Sequence, residues 1–548
     1  MFNLAVILRE SAKAAPGKPA IRHDGGAMSY AELDALSDSA AEGLAARGIQ
    51  PGDAVGLQLP NIPEFVVAYF GILKAGAVVV PLNPLLKARE VAYCLGNSRA
   101  RALITWPPAA EEAVKGAAEE GITEVFVVAG AENPFTGLLK PARARRPIVP
   151  REGSDTAAIV FTSGTTGVPK GAELTHLQLY MNADIPGRLF DVRPDDIVLT
   201  ILPMFHVFGL SSILNVSVRF GCTLSLVPRF DATAALEAIE RDRVTIFEGV
   251  PTMFVAVLEQ PELDRYDTSS LRVAISGGAA IPAHVLDAFE ERFGVTILEG
   301  YGLTETASTT TFNISADERR AYSVGKPIWG TETEIWDERG NRLPPGREHV
   351  GELVTRGFHV MKGYYGQPEA SAEAMAGGWL HTGDLGYVDE DGFFFIVDRK
   401  KELIIRGGYN VYPREVEEIL YNHPAVAEAA VVGVPDARLG EEVAAYVSLR
   451  PGRTVTEPEL IPTAGIAWRA TSIRATSRSA MRCPRRPTAR SPSWSSPLPE
   501  CFTPVHARTD KGPCASATYG TAARGPQAGR WSRDESHPLL AAEMRSSP

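Results

Sequence analysis

Residues 29–100 alternate helical patterns with short apolar runs, and this rhythm constrains the fold more than any other feature of the chain. Residues 30–47 have the spacing of an amphipathic helix, 54–59 form an apolar run of strand length, 63–74 read as helix again and 78–81 as a second strand. A strand followed by a helix that crosses back over it yields parallel strands with both sheet faces covered. The pattern recurs over 196–254 and 271–298, which predicts an α/β fold whose large N-terminal domain holds two packed α/β layers. Around Gly351 the texture shifts to shorter strands and turns, predicting an added β-rich subdomain. From Glu402 a Gly-rich turn at Gly407 and Gly408, a helix over 413–421 and apolar strands at 429–434 and 443–449 predict a small α+β domain. Its Pro413 sits in the first helical turn, where a missing N–H costs nothing.

A chain of 548 residues with 45% hydrophobic content can bury more than one core. The formal charge of −11 removes the electrostatic case for nucleic acid, which needs clustered Lys and Arg. Five cysteines without metal-ligand spacing fit a reducing cytoplasm; Cys94 and Cys222 lie in apolar stretches and read as core. The segment 2–8 is apolar but has no basic flank or small-residue cleavage site. No run approaches the length of a membrane span, which leaves peripheral membrane contact compatible and the oligomeric state unspecified.

Composition breaks after about Leu460. The last 88 residues hold twelve Arg, one Lys and five acidic residues, a net +8, so the first 460 carry −19. Ser, Pro, Arg, Thr and Ala dominate, and no hydrophobic period persists. The expected organisation is therefore a large domain over 1–400, an incomplete small domain over 401–460 and a disordered basic tail over 461–548.

The strongest local signal is Thr162-Ser163-Gly164-Thr165-Thr166-Gly167-Val168-Pro169-Lys170-Gly171, directly after the apolar run 157–161. Its glycines permit close backbone approach, its hydroxyls can donate to phosphate oxygens and Lys170 supplies charge. The Lys170 spacing is not that of a Walker A loop. Taken alone, the segment reads either as a phosphate cradle or as a strand-to-helix turn.

Three further motifs follow in order: Gly300-Tyr301-Gly302-Leu303-Thr304-Glu305, His381-Thr382-Gly383-Asp384 and Asp398-Arg399-Lys400-Lys401-Glu402. Together the four resemble the acyl- and aryl-CoA synthetase, luciferase and peptide-synthetase adenylation superfamily, over roughly residues 1–460. The resemblance implies ATP, Mg²⁺ and CoA as cosubstrates and cofactor, and a small-molecule carboxylic acid as partner. It implies that Thr162, Ser163, Gly164, Thr165, Thr166, Gly167 and Lys170 hold phosphates, with Thr165 and Glu305 as metal ligands. Ser276-Gly277-Gly278-Ala279 resembles the segment along the adenine, with Gly300, Tyr301, Gly302 and Thr304 beside it and Tyr301 as a flat partner. Asp384 would accept both hydroxyls of the ribose diol, which a two-oxygen carboxylate can do, and Arg399 would add fixed donors. Without the motif context Asp384 after a glycine is an ordinary turn residue.

His206, in Leu202-Pro203-Met204-Phe205-His206-Val207-Phe208-Gly209, is by itself as well explained as a hydrogen-bonded core histidine. In related CoA synthetases a histidine here borders the carboxylate and the thiol entrance, which implies a positioning role. Amino-acid-activating relatives carry an acidic residue in this segment, whereas this chain offers Phe205, Val207, Phe208 and Leu210. The apolar lining points to a medium- or long-chain fatty acid, with an aryl acid of the coumarate type as runner-up. No carrier-protein domain follows, and the length disfavours the acetate-activating type. The resemblance also implies a hinge at Lys401 that brings Gly407 and Gly408 to the CoA side.

Such families end in a glycine–lysine pair whose ammonium reaches the acid carboxylate and the α-phosphate. Here no Lys occurs between Lys401 and Lys511, and Lys511 follows Asp510. The genetic code supplies an explanation. Codons built from the last base of one codon and the first two of the next, across residues 470–491, can read Y-K-Y-P-R-H-V-E-I-R-D-A-L-P-K-A-P-D-G-K-I. That string resembles the missing ending, with its final lysine codon straddling Ala489 and Arg490. A frameshift near Leu460 is the expectation, and with it impaired catalysis by the chain as written, down to a protein that only binds ATP or acid.

Overall fold

Helix entry is written locally. Ser29 Oγ accepts from the Glu32 amide while Glu32 accepts from the Ser29 amide, a reciprocal cap that starts the helix Tyr30–Ala46. Pro63 opens the next helix, Pro63–Lys74, whose mainly apolar sequence lets it bury nearly its whole circumference. The exception, Lys74, is fully buried and meets Asp34 Oδ1 at 2.6 Å and Asp38 Oδ1 at 2.8 Å, with Arg9 Nε 2.9 Å from Asp34. Two cations facing two carboxylates in the core leave no charge unpaired, the condition under which buried ions are tolerated.

The computed structural model describes residues 2–128, 138–139, 146–162, 168–407, 409–421, 423–436, 438–450, 452–456, 460 and 472–476. Among them, a seven-stranded sheet has the order Gly363–Tyr364, Lys170–Thr175, Thr156–Thr162, Val78–Pro81, Ala54–Gln58, Ala100–Thr105, Glu124–Val127, parallel from Thr156–Thr162 onward. A nine-stranded sheet follows, with the consecutive order Lys326–Pro327, Thr311–Phe312, Ile297–Tyr301, Val273–Ser276, Ile246–Gly249, Ile197–Thr200, Thr223–Leu226, Pro19–His23, Gly26–Ser29. Its strands from Ile297–Tyr301 to Pro19–His23 are parallel. These are the two α/β layers that the alternating pattern predicts, and one continuous apolar core spans both. The β-rich addition is a four-stranded antiparallel sheet, Thr331–Trp336, Gly351–Gly357, Leu380–Val388 and Phe394–Arg399. The apolar segment at the start is core: Leu4 and Leu8 are buried, and the Leu4 amide donates to His176 Nδ1 at 3.1 Å. No described helix is long and apolar enough to cross a membrane.

A small sheet pairs Tyr409–Val411, Ile404–Arg406, Gly440–Leu449 and Val426–Asp436, with the helix Pro413–Tyr421 against it. It continues past Leu460, because Ser472–Thr476 pairs in parallel with Gly440–Leu449. Composition placed this strand within the basic tail; sheet pairing needs only backbone groups, which composition does not register. On the helix, Glu417 accepts the Val431 amide at 2.8 Å; burial, with Asp398 and Glu402 nearby, pushes its carboxyl up to about 7 against the pull of Arg414. A carboxyl raised on folding stabilises below its unfolded pKa, and that contribution is lost as pH climbs through about 7. Chemical denaturation between pH 5 and 8 is expected to show stability falling, and Glu417→Gln should flatten the decline by up to about 3 kcal/mol. An identical slope in the variant would assign the decline to other groups.

Candidate active site

The segment after residues 157–161 is a hairpin and not a strand-to-helix turn. Thr156–Thr162 runs antiparallel to Lys170–Thr175, with Thr162 in register with Lys170. Lys170–Thr175 has no strict polar–apolar alternation, so its strand character is not marked in the sequence. Ser163, Gly164, Thr165, Thr166 and Gly167, expected to hold phosphates, lie outside the described residues. At the base of the hairpin, Thr162 Oγ1 is buried without a hydrogen-bond partner among the described residues.

Lys170 Nζ stands 5.1 Å from the centroid of the Tyr364 ring, and the Tyr364 hydroxyl donates to Glu305 Oε1 at 3.0 Å. Residues 361–365 stitch this arrangement together. The Met361 amide donates to the Glu305 carbonyl at 2.7 Å, the Lys362 amide to Glu173 at 2.9 Å and the Tyr365 amide to Gly171 at 2.8 Å. A cation and a carboxylate expected to act on the same phosphates are therefore joined through one aromatic residue. No motif in the sequence marks Tyr364, since a tyrosine directly after the pair Lys362-Gly363 has no motif spacing of its own.

Glu305 sits in the turn Thr304–Thr306, whose geometry is tightly constrained. A Cβ at Gly302 would fall 1.4 Å from the Ser308 carbonyl oxygen, so only glycine fits. Ala307 and Ser308 take φ of +56° and +116°, conformations that non-glycine residues hold only when their surroundings enforce them. The enforcement comes from buried Asn182. Its Nδ2 donates to the carbonyls of Thr306 and Thr309 at 3.1 and 3.0 Å, and its Oδ1 accepts from the Thr309 amide at 3.0 Å. Asn182→Ala is expected to destabilise the protein by about 2 to 4 kcal/mol, the cost of stranding buried backbone groups. A denaturation midpoint unchanged from the parent would show that the turn holds its own shape.

Asp384 and Arg399 face each other in register on neighbouring strands. Asp384 is buried; its Oδ2 accepts from the Tyr301 hydroxyl at 2.6 Å and its Oδ1 lies 3.2 Å from Arg399 Nε. Burial and the adjacent Asp384 charge hold the Tyr301 phenol well above its ordinary pKa. A carboxylate's two oxygens carry about four lone-pair sites between them, the acceptor geometry that two hydroxyls of a diol require. Gly300 lies beneath Phe312, where a Cβ would come within 2.7 Å of the ring.

His206 precedes the π-helix Phe208–Asn215, and its Nδ1 accepts from the Phe208 amide at 3.2 Å. π-Helical turns distort the regular ladder and recur at functional sites. The Phe208 ring stands over Gly277, 3.1 Å from where a Cβ would be, with the Gly300 carbonyl at 3.4 Å. The apolar segment around His206 and the glycines expected along the adenine are thus walls of one place. Gly278, with φ +79°, and Ala279 are exposed at its edge. Lys401 is exposed between the four-stranded sheet and the small one, next to Lys400, whose amide donates to the Gly383 carbonyl at 2.9 Å. Gly407 takes φ +58° and its amide donates to Leu439 at 2.8 Å, while Gly408 lies outside the described residues. No group of three or more His, Cys, Asp or Glu able to hold a metal occurs among the described residues.

An AMP-binding enzyme family model matches residues 8–365, and a model of the AMP-binding enzyme C-terminal domain matches 415–478. The chain is 36% identical over 492 residues to a long-chain-fatty-acid–CoA ligase of Bacillus subtilis (strain 168), covering 84% of this chain and 87% of the relative. It is 38% identical over 463 residues to a feruloyl-CoA synthase of an Amycolatopsis species, covering 84% and 91%. The crystal structure of ATP-bound MatB from Rhodopseudomonas palustris superposes with a TM-score of 0.81 at 32% identity, covering 86% of this chain and 94% of that one.

Proposed function

The chain belongs to the AMP-binding enzyme family as an AMP-forming acid–CoA ligase, and from that premise we propose that it activates an extended apolar acid, first a medium- or long-chain fatty acid. The observation that carries the reading is the Phe208 contact with Gly277, which sets an apolar segment flanking His206 against the nucleotide glycines. A reacting carboxylate at that junction lies next to an α-phosphate held along Gly277 and Tyr301. An aryl acid is the second reading, favoured by the likeness to a feruloyl-CoA synthase.

In the first step the acid carboxylate attacks the ATP α-phosphorus and pyrophosphate leaves. In the second the CoA thiol attacks the acyl-adenylate carbonyl and AMP leaves. Lys170 offsets phosphate charge, and Asp384 with Arg399 anchors the ribose, so the α-phosphorus is held in line with the acid. His206 borders the carboxylate. Magnesium, when bound, would neutralise the departing phosphates; Glu305 suits a hard cation that takes its remaining ligands from phosphate oxygens, Thr165 and water. Lys401 serves as the pivot on which the small sheet turns Gly407 and Gly408 toward CoA between the steps. The free, buried Cys94 and Cys222 support a cytoplasmic setting.

ATP–pyrophosphate exchange with a panel of fatty, aryl and amino acids tests the assignment. Exchange, or thermal stabilisation in the presence of ATP and Mg²⁺, is expected with fatty or aryl acids. A response to amino acids alone would overturn the apolar-pocket reading.

A further inference from the structure

Ile246–Gly249 lies inside the nine-stranded sheet, paired with Val273–Ser276 on one side and Ile197–Thr200 on the other. Its side chains alternate between the sheet's two faces. Phe247 packs against Phe254 and Phe289, with ring centroids 5.0 and 5.6 Å apart, and a Cβ at Gly249 would meet Phe254 at 3.2 Å. That face is therefore roofed by the helices Pro251–Leu258 and Ala283–Phe293. Glu248 must point to the other face. It is in register with Ile275, and two residues further along the same strand direction Gly277 meets the Phe208 ring. Glu248 thus shares a sheet face with the place where the apolar segment and the nucleotide glycines meet.

On that face Ile246, Val273, Ile275, Leu298 and Val198 are apolar, and the strand Ile197–Thr200 adds buried Thr200, whose hydroxyl donates to the Val198 carbonyl at 3.2 Å. Glu248 is 1% exposed, forms no salt bridge, and its Oε2 has no hydrogen-bond partner among the described residues. Burial alone pushes its carboxyl well above the ordinary range, which favours the protonated form, and a protonated carboxyl can both donate and accept. A buried carboxyl left unsatisfied costs several kcal/mol where an apolar residue would cost nothing. Such a group is explained when a ligand completes it. A hydroxyl, itself donor and acceptor, matches a protonated carboxyl on both counts.

Resting on the ligase reading, we propose that Glu248 is a specificity-determining residue on the floor of the acid site, and that the acid carries a hydroxyl on its chain or ring which Glu248 hydrogen-bonds. The distinction matters because a site built to bond a hydroxyl rejects the analogue without it far more strongly than an apolar site rejects an added hydroxyl.

Two substrate pairs test this by equilibrium titration of the full chain in the presence of AMP: 4-hydroxycinnamate against cinnamate, and 12-hydroxydodecanoate against dodecanoate. In at least one pair the hydroxylated acid is expected to bind about tenfold tighter or more, and the responding pair tells a phenolic from an alkyl hydroxyl. Glu248→Leu should erase the preference while binding the unhydroxylated acid at least as well; Glu248→Gln, isosteric and still hydrogen-bonding, should retain part of it. Equal binding within both pairs, or a preference that survives Glu248→Leu, overturns the proposal and leaves the ligase reading standing. Binding of none of the four acids overturns the apolar-acid reading itself.

Discussion

Restoring the alternative reading frame after Leu460 is expected to raise the rate of adenylate formation about 10²- to 10³-fold, the effect of regaining one positioned charge at a reacting centre. The lysine encoded across Ala489 and Arg490 would reach the acid carboxylate and α-phosphate, which no lysine between Lys401 and Lys511 does in the chain as written. Substrate binding should change much less, because the large domain carries the binding groups. The small sheet should gain as well. Leu460 is already buried in its core, and the alternative frame supplies Val and Ile at two-residue spacing, one apolar face for an added strand. The written strand Ser472–Thr476 places Arg474 at its centre instead. Nucleotide sequencing across codons 455–495, with adenylation assays of both forms, decides the matter. An intact gene encoding this tail, with a rate unaffected by trimming residues 461–548, would overturn the frameshift.

Periodicity made the layers legible. Residues 63–74 and 78–81 are helix and strand with those bounds, and the helix begun at Tyr30 ends at Ala46, one residue short of the expected boundary. Strand bounds in the small sheet were less legible: the apolar run at 429–434 marks only the middle of Val426–Asp436, and that at 443–449 misses the first three residues of Gly440–Leu449. Antiparallel pairing extends each strand through polar residues such as Glu441 and Glu442, because the ladder is a backbone matter.

The candidate site divides along the same line. Asp384, Arg399 and Tyr301 come together as their motifs imply, and so do Lys170 and Glu305. The residues that hold those groups in place carry no local signature. Asn182 acts across 124 residues on the Glu305 turn, and Tyr364 across 59 residues on Glu305 itself. Glu248 is invisible for another reason: in sequence it is one acidic residue inside an apolar run, and only the sheet register shows which face it takes. Long-range positioning of this kind depends on tertiary contacts that periodicity and spacing do not encode.

Asp384→Asn is expected to weaken AMP binding about 100-fold, the loss of charge-assisted hydrogen bonds to two hydroxyls of a ribose. The substitution keeps the shape of the side chain. It can still accept from Tyr301, but one oxygen becomes an NH₂ that faces Arg399 as donor against donor. Nucleotide affinity and fold stability should therefore separate: calorimetric titration with AMP should show the large loss, while the thermal midpoint without ligand moves by only a few degrees. Arg399→Lys should fall between parent and Asp384→Asn, because an ammonium restores charge without the fixed fork of donors. A lowered midpoint with unchanged AMP affinity would make Asp384 a clamp between Tyr301 and the strand Phe394–Arg399, and would move the ribose elsewhere. Loss of affinity at an unchanged midpoint places the ribose on the carboxylate that Tyr301 and Arg399 already orient.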